Sequence, residues 1–335
     1  MALLYLGMED TVVVVREGRS AWAVEERLSG QPVQGVAADP HDPARVYAAT
    51  AAGLWRSTDG GRTWARAAAS GLDDVTSVAV GLPPDGGPGP VYAGTEPSRL
   101  FRSDDGGITW RELHGLAALP SAPTWSFPPR PETHHVRWIA PDPARPGRLY
   151  VAIEAGALVH SADGGETWHD RVRGGPYDTH TLAVHPHAPD RLYSAAGDGY
   201  FESRDGGASW RSPEEGLRHG YLFGVAADPG DPETVVVSAA AGPGSAYVAA
   251  RATTYLYRRQ GPGPWGLLRE GLPDARRTTI TVLATHPQAP GVVYAANNRG
   301  VFRSRDGGAR WTALELPWPA RFQDHAVQGL VAVDP

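Results

Sequence analysis

Five times the chain returns to one eight-residue pattern, S-x-D-G-G-x-[TS]-W or a single substitution from it, at residues 57–64, 103–110, 161–168, 203–210 and 304–311. An internal repeat of this length restricts the chain to stacked or radially arranged units before any side-chain chemistry is considered. Two weaker copies complete the series: one ends at Trp22 with Glu17 in place of the Asp, the other at Trp265 with Gln260 there. Successive tryptophans are 42, 46, 58, 42, 55 and 46 residues apart, a mean of about 48, so seven units take up the 335 residues. The expected organisation is one domain over residues 1–335.

Residues 34–66 are read as one unit. Residues 34–38 form a short apolar strand of small residues, suited to a crowded centre, and Asp39-Pro40-His41-Asp42-Pro43 is turn chemistry. Residues 46–50 and 54–57 read as second and third strands separated by Ala51-Ala52-Gly53. An Asp-Gly-Gly hairpin then leads into a fourth strand from Thr63. Four antiparallel strands in each of seven units predict an all-β fold, a seven-bladed β-propeller. Gly 41 and Pro 31 beside 41% hydrophobic residues suit many short strands joined by tight turns. The ends predict how the ring closes. Residues 328–335, QGLVAVDP, match the first strand and turn of a unit (QGVAADP, residues 34–40), and the N-terminal residues supply the strands that should follow. A blade shared by both termini removes the open sheet edges that template aggregation.

The repeated carboxylates, Asp59, Asp105, Asp163, Asp205 and Asp306, each precede a Gly pair. There a short acceptor can take turn N–H groups, the glycines permit positive φ, and the Trp can wedge between sheets. One carboxylate per blade is dispersed around the ring, so these residues are read as structural.

Composition excludes several functions. The formal charge is −6, every basic residue is Arg, and no basic run marks a nucleic-acid footprint. No apolar stretch approaches a membrane span. With no Cys, disulfides and thiolate metal sites are ruled out. The first ten residues carry no signal-peptide pattern, so the expected location is cytoplasmic.

The boxes resemble the Asp-box, or BNR, repeat of sialidases, xyloglucan-cleaving glycoside hydrolases and sortilin ectodomains. A second element, D-P-x-x-P-x-x-[VL]-Y-[AV]-[AG], starts at Asp39 and Asp142 and, with His for Asp, at His185 and His286. It is most similar to bacterial proteins related to the photosystem II stability/assembly factor. The resemblance implies a propeller, but hydrolases, receptors and assembly factors share that fold, so function must be read from the site. A sialidase would bring an Arg triad, a Tyr–Glu pair and an Arg-Ile-Pro motif near the N-terminus; the first blade has only Arg16, Arg19 and Arg27, without that motif.

Turns alternate faces in an up-and-down blade. The Asp-Pro turns and the boxes therefore share one face, while the turns after second strands and the interblade connections share the other, the top. The two longest units carry their excess at residues 113–136 and 239–251, both expected on top, where loops on a rigid scaffold carry function. Polar residues expected there are His134, His135, Arg137, Glu154, Tyr177, Asp178, His180, Tyr221 and His325, the candidate ligand-binding set. Asp198, His219 and Asp324 fall nearby.

The leading expectation is a non-catalytic binding or assembly scaffold that recognises a small polar ligand, a glycan or a protein partner near the central channel, with no cofactor. A glycan hydrolase is the alternative, and its carboxylate pair would be Glu154 and Asp178, with Glu96 and Asp198 as substitutes. A third reading places a divalent metal in the channel on His135, His180 and Glu154. Trp125-Ser126-Phe127 is either a sugar-stacking platform or the anchor of a Pro-rich loop.

Overall fold

The computed structural model describes residues 2–83 and 86–333. Strands β1 (Leu3–Met8), β2 (Val12–Glu17) and β3 (Trp22–Arg27) form the outer part of the first sheet. The second sheet holds β4 (Val33–Asp39), β5 (Asp42–Thr50), β6 (Gly53–Ser57) and β7 (Ala65–Arg66). The third holds β8 (Val75–Val80), β9 (Val91–Thr95), β10 (Leu100–Ser103) and β11 (Arg111–Glu112). The fourth holds β12 (Val136–Pro141), β13 (Leu149–Ile153) and β14 (Ala157–Ser161), and the fifth β15 (Thr179–Val184), β16 (Leu192–Ala196) and β17 (Gly199–Ser203). The sixth holds β18 (Tyr221–Asp228), β19 (Asp231–Ala240), β20 (Thr254–Gln260) and β21 (Gly266–Leu267). The seventh holds β22 (Val282–Thr285), β23 (Val293–Asn297), β24 (Gly300–Ser304) and β25 (Thr312–Ala313).

The last strand, β26 (Val327–Val333), returns to the first sheet and pairs with β1, from Leu3 opposite Val333 to Gly7 opposite Gly329. The innermost strands β26, β4, β8, β12, β15, β18 and β22 each touch the next, and β22 touches β26, so the ring is closed. This is the seven-bladed propeller that the repeat predicts. The turn expected at Asp334 and Pro335 lies outside the described residues. Among the described residues, no helix is long and apolar enough to cross a membrane.

Two blades depart from four full strands. Their fourth strand shrinks to a single bridge, His160 with His169 in one and Glu202 with Arg211 in the other. In the first, Asp170 is turned aside to accept the Ser121 N–H (2.8 Å) and hydroxyl (2.6 Å). In the second, Pro213 follows within two residues and has no N–H to extend a ladder.

Each box is a closed hydrogen-bonded knot on the side of the ring away from the cavity described below. Asp59 accepts the backbone N–H groups of Arg62 and Thr63 (2.9 Å each) and the hydroxyls of Thr63 (2.6 Å) and Ser57 (2.8 Å). The Ser57 oxygen in turn accepts the Gly61 N–H at 2.9 Å, and the Trp64 indole donates to the Gly61 carbonyl at 3.1 Å. The same bonds recur around Asp105, Asp163, Asp205 and Asp306, with Arg310 lacking the hydroxyl in the last copy. Both glycines have positive φ in every box. At Gly308 a Cβ would also stand 2.4 Å from Val236 Cγ2 of the preceding blade, so a side chain is excluded twice.

The box also binds blade to blade. Its first glycine carbonyl accepts from the preceding blade: Gly60 from Arg16 (2.7 Å), Gly106 from the Tyr47 hydroxyl (3.0 Å), Gly164 from Arg102 (3.1 Å) and Gly307 from Arg258 (2.8 Å). Gly206 accepts both Arg148 and the Tyr150 hydroxyl at 3.0 Å. The Tyr of the Asp-Pro element is thus an interblade strut, fully buried at Tyr47. Asp163→Ala, which strands the Thr167 N–H and two hydroxyls, is expected to cost about 1 kcal/mol, read as a lower urea midpoint with an unchanged slope.

Candidate functional site

Six of the seven innermost strands slip register near their start, opposite the box face. The shifts fall between Val33 and Gly35, Val75 and Ser77, Val136 and Trp138, Thr179 and Thr181, Leu222 and Val225, and Val327 and Gly329. A bulge re-aims the extra residue. Gln34, Thr76, Arg137, His180 and Gln328, the bulged residues of five strands, all line one cavity of about 600 Å³ at the channel mouth. In the sixth, Phe223 is buried and lies under the Arg137 guanidinium, 4.9 Å from its ring centre. Thr281, at the corresponding place before β22, is also buried and accepts the Asn297 side-chain N–H at 3.1 Å.

The two insertions wall this mouth. From the first, Phe127, Pro128, Pro129 and Arg130 face the cavity, and from the second Pro243 and Tyr247. Trp125 is buried, its indole donating to the Ser121 hydroxyl at 3.0 Å, so it anchors the loop and offers no stacking platform. Arg130 pairs with Glu96 at 2.7 Å, and the Tyr221 and Tyr247 hydroxyls bond to each other.

Glu154 stands at the centre, in the turn after β13. Its Oε2 takes His135 Nε2 at 2.9 Å and Arg137 Nε at 3.1 Å, while its Oε1 lies 3.9 Å from His180 Nε2. Asp178, just before β15, accepts the Ala155 N–H on Oδ1 at 2.8 Å and turns Oδ2 to within 3.7 Å of His180 Nε2. His180 Nδ1 sits 2.6 Å from the Leu222 carbonyl; a carbonyl only accepts, so this nitrogen carries the proton.

Burial alone would push the Glu154 carboxyl up. The His135 hydrogen bond and the charges of Arg137, His180 and His135 overcome it and draw the pKa down to about 2. Asp178 moves the other way: burial raises it against the opposing pull of His180, with the neighbouring Glu154 and Asp198 adding to the rise. Two adjacent carboxyls therefore differ in protonation tendency because their partners differ.

Of the residues selected from sequence, His135, Arg137, Glu154, Asp178, His180 and Tyr221 share this cavity. His134, Tyr177 and His325 do not line it. His134 packs edge-on against Trp125, Tyr177 lies at the surface under Arg171, and His325 lies against Phe322 with Nδ1 3.6 Å from Asp10. Of the residues expected to ligate a metal, His135, His180 and Glu154, His135 spends Nε2 on Glu154, and the atoms that gather within 4.8 Å belong to Glu154, Asp178 and His180. Of the substitute carboxylates, Glu96 lines the cavity, whereas Asp198 accepts the N–H groups of Tyr177 and Asp178 (3.2 Å each). Gln34, Thr76, Gln328 and Tyr247 were missed. The signal for the first three is the second position of the recurring V-x-[GSW]-[VIL] segment that opens an innermost strand.

Glu154→Gln is expected to lower stability by about 2–3 kcal/mol at pH 7. Because the folded pKa lies below the unfolded one, the wild-type advantage is complete above about pH 4.5 and fades as pH falls toward 2. Urea midpoints of both proteins at pH 7, 5 and 3 check this.

A family model described as "BNR/Asp-box repeat" matches residues 101–112. Among curated proteins, a xyloglucanase of Hypocrea jecorina is 30% identical over 124 residues, 36% of this chain and 15% of that protein. Xyloglucanase Xgh74A of Acetivibrio thermocellus is 26% identical over 222 residues, 53% of this chain and 24% of its own length. The chain thus spans less than a quarter of these relatives. Among solved structures, the GH74 xyloglucanase from Xanthomonas campestris superposes with a TM-score of 0.66 at 19% identity, over 92% of this chain and 52% of that one. YCF48 bound to a D1 peptide superposes at 0.61 and 16% identity, over 91% of this chain and 94% of that one. The chain is a β-propeller with a match to the BNR/Asp-box repeat, and it is similar in fold to both groups.

Proposed function

We propose that the protein is a non-catalytic binding or assembly scaffold that takes a polar segment of a partner into the channel mouth. The observation that carries this reading is the cavity itself: polar side chains from six blades converge on one concave space. Its charges are largely paired within the protein, Glu154 with His135 and Arg137, and Glu96 with Arg130. A carboxylate held near pKa 2 is a weak proton acceptor and no donor at neutral pH, which suits hydrogen bonding better than acid–base work. YCF48, solved with a D1 peptide and matched over nearly the whole of both chains, is a precedent for a peptide held by such a propeller.

Glycan hydrolysis is the second reading, favoured by the opposed shifts of Glu154 and Asp178 and by local identity with xyloglucanases. A retaining mechanism uses carboxyls roughly 5–5.5 Å apart, the lower-pKa group as nucleophile and the raised one as acid. Calorimetry with xyloglucan oligosaccharides and with peptides, run beside a reducing-end assay, separates the two. The expected result is saturable binding of one class, weakened about tenfold or more by Arg137→Ala, with no sugar released. Steady release that disappears in Asp178→Asn would replace the scaffold with a hydrolase.

A further inference from the structure

We infer that the channel mouth holds a divalent transition-metal ion between Glu154 Oε1, Asp178 Oδ2 and His180 Nε2. These residues bring ligand atoms within 4.8 Å of one another. Each has its other polar atom occupied by the protein: Glu154 Oε2 by His135 and Arg137, Asp178 Oδ1 by the Ala155 N–H, and His180 Nδ1 by the Leu222 carbonyl. Such outer partners are what fix the tautomer and orientation of metal ligands.

His180 supplies an independent observation. It is only 1% exposed, yet Nε2 opens onto the cavity and makes no hydrogen bond among the described residues. In the neutral imidazole that a metal takes, with the single proton on Nδ1, Nε2 carries a lone pair. Its nearest polar neighbours are two carboxylate oxygens, at 3.7 and 3.9 Å, which also carry lone pairs. Those separations are too long for hydrogen bonds. They exceed by only a few tenths of an ångström the roughly 3.4 Å between donors around a tetrahedral ion with bonds of about 2.1 Å. A cation among the three atoms turns mutual repulsion into three attractive contacts.

The donor set selects the ion. One imidazole and two carboxylates suit Zn²⁺, Fe²⁺ or Mn²⁺ better than the all-oxygen preference of Ca²⁺ or Mg²⁺. Arg137, on Glu154, reduces the local negative charge and further disfavours purely electrostatic binding of hard cations. Three protein ligands leave positions facing the cavity, where a carboxylate, hydroxyl or water from outside can complete the coordination. The inference stands apart from the scaffold reading, because the ion is measured with no partner present.

The test uses untagged protein, stripped with a chelator and dialysed, then titrated with Zn²⁺ by calorimetry. Bound metal is counted by mass spectrometry, and Tm is followed with and without the ion. The expected result is one equivalent with micromolar or tighter affinity and a raised Tm. Asp178→Asn should weaken binding at least tenfold, while His160→Gln, at a stacked imidazole pair outside the cavity, leaves it unchanged. If Asp178→Asn does not fold, the Co²⁺ spectrum of wild-type protein decides, with the d–d bands of four- or five-coordination expected. Absence of stoichiometric Zn²⁺, a site that survives in folded Asp178→Asn, or a Co²⁺ spectrum identical to the hydrated ion would overturn the inference.

Discussion

Both ends of the chain meet in one sheet, and the geometry of everything else depends on that pairing. β1 and β26 lie in register across five residue pairs, and a sixth follows the bulge at Gln328. Four-stranded blades of this kind do not by themselves determine how many stand in a ring. Closure does: with the ends joined, the seven innermost strands hold a common radius and their upper ends surround a single mouth. The clamps from Arg and Tyr onto box carbonyls then fix the angle between neighbouring blades. The conspicuous aspartates belong to this framework, on the side where no cavity chemistry is gathered.

Repetition supplies equivalent positions, and substitution at those positions supplies a site. The bulge near the start of the innermost strands aims one residue per blade toward the channel. Gln328, Gln34, Thr76, Arg137 and His180 make a polar arc from consecutive blades, while the equivalent Phe223 and Thr281 of the last two blades are buried away from it. The polar arc is where the first insertion folds over and where the turn after β13 presents Glu154. One repeated framework thus yields a one-sided pocket through substitution at equivalent positions and two insertions.

Much of this was legible in the sequence. The tryptophan spacing counted the blades, the matching end segments predicted closure, and the alternation of turns brought His135, Arg137, Glu154, Asp178 and His180 to one face. What could not be read was local direction. His134 and His135 are adjacent, yet successive extended residues point oppositely, and only the second reaches the cavity. Bulged register is set by packing around the channel, so Gln34, Thr76 and Gln328 read as ordinary strand residues. That Asp178, and not His135, gathers with Glu154 and His180 has the same origin. Both are near Glu154, and only geometry reveals that His135 spends its nitrogen on the carboxylate.

Glu154 as the meeting point of two blades is the claim on which the site stands. Imidazole ¹⁵N chemical shifts, compared between wild-type protein and Glu154→Gln, test it most directly. With 12 histidines in the chain, the account predicts movement of His135 and His180, while His41 and His187, in turns on the box face, keep their positions. Unchanged His135 and His180 resonances would contradict it.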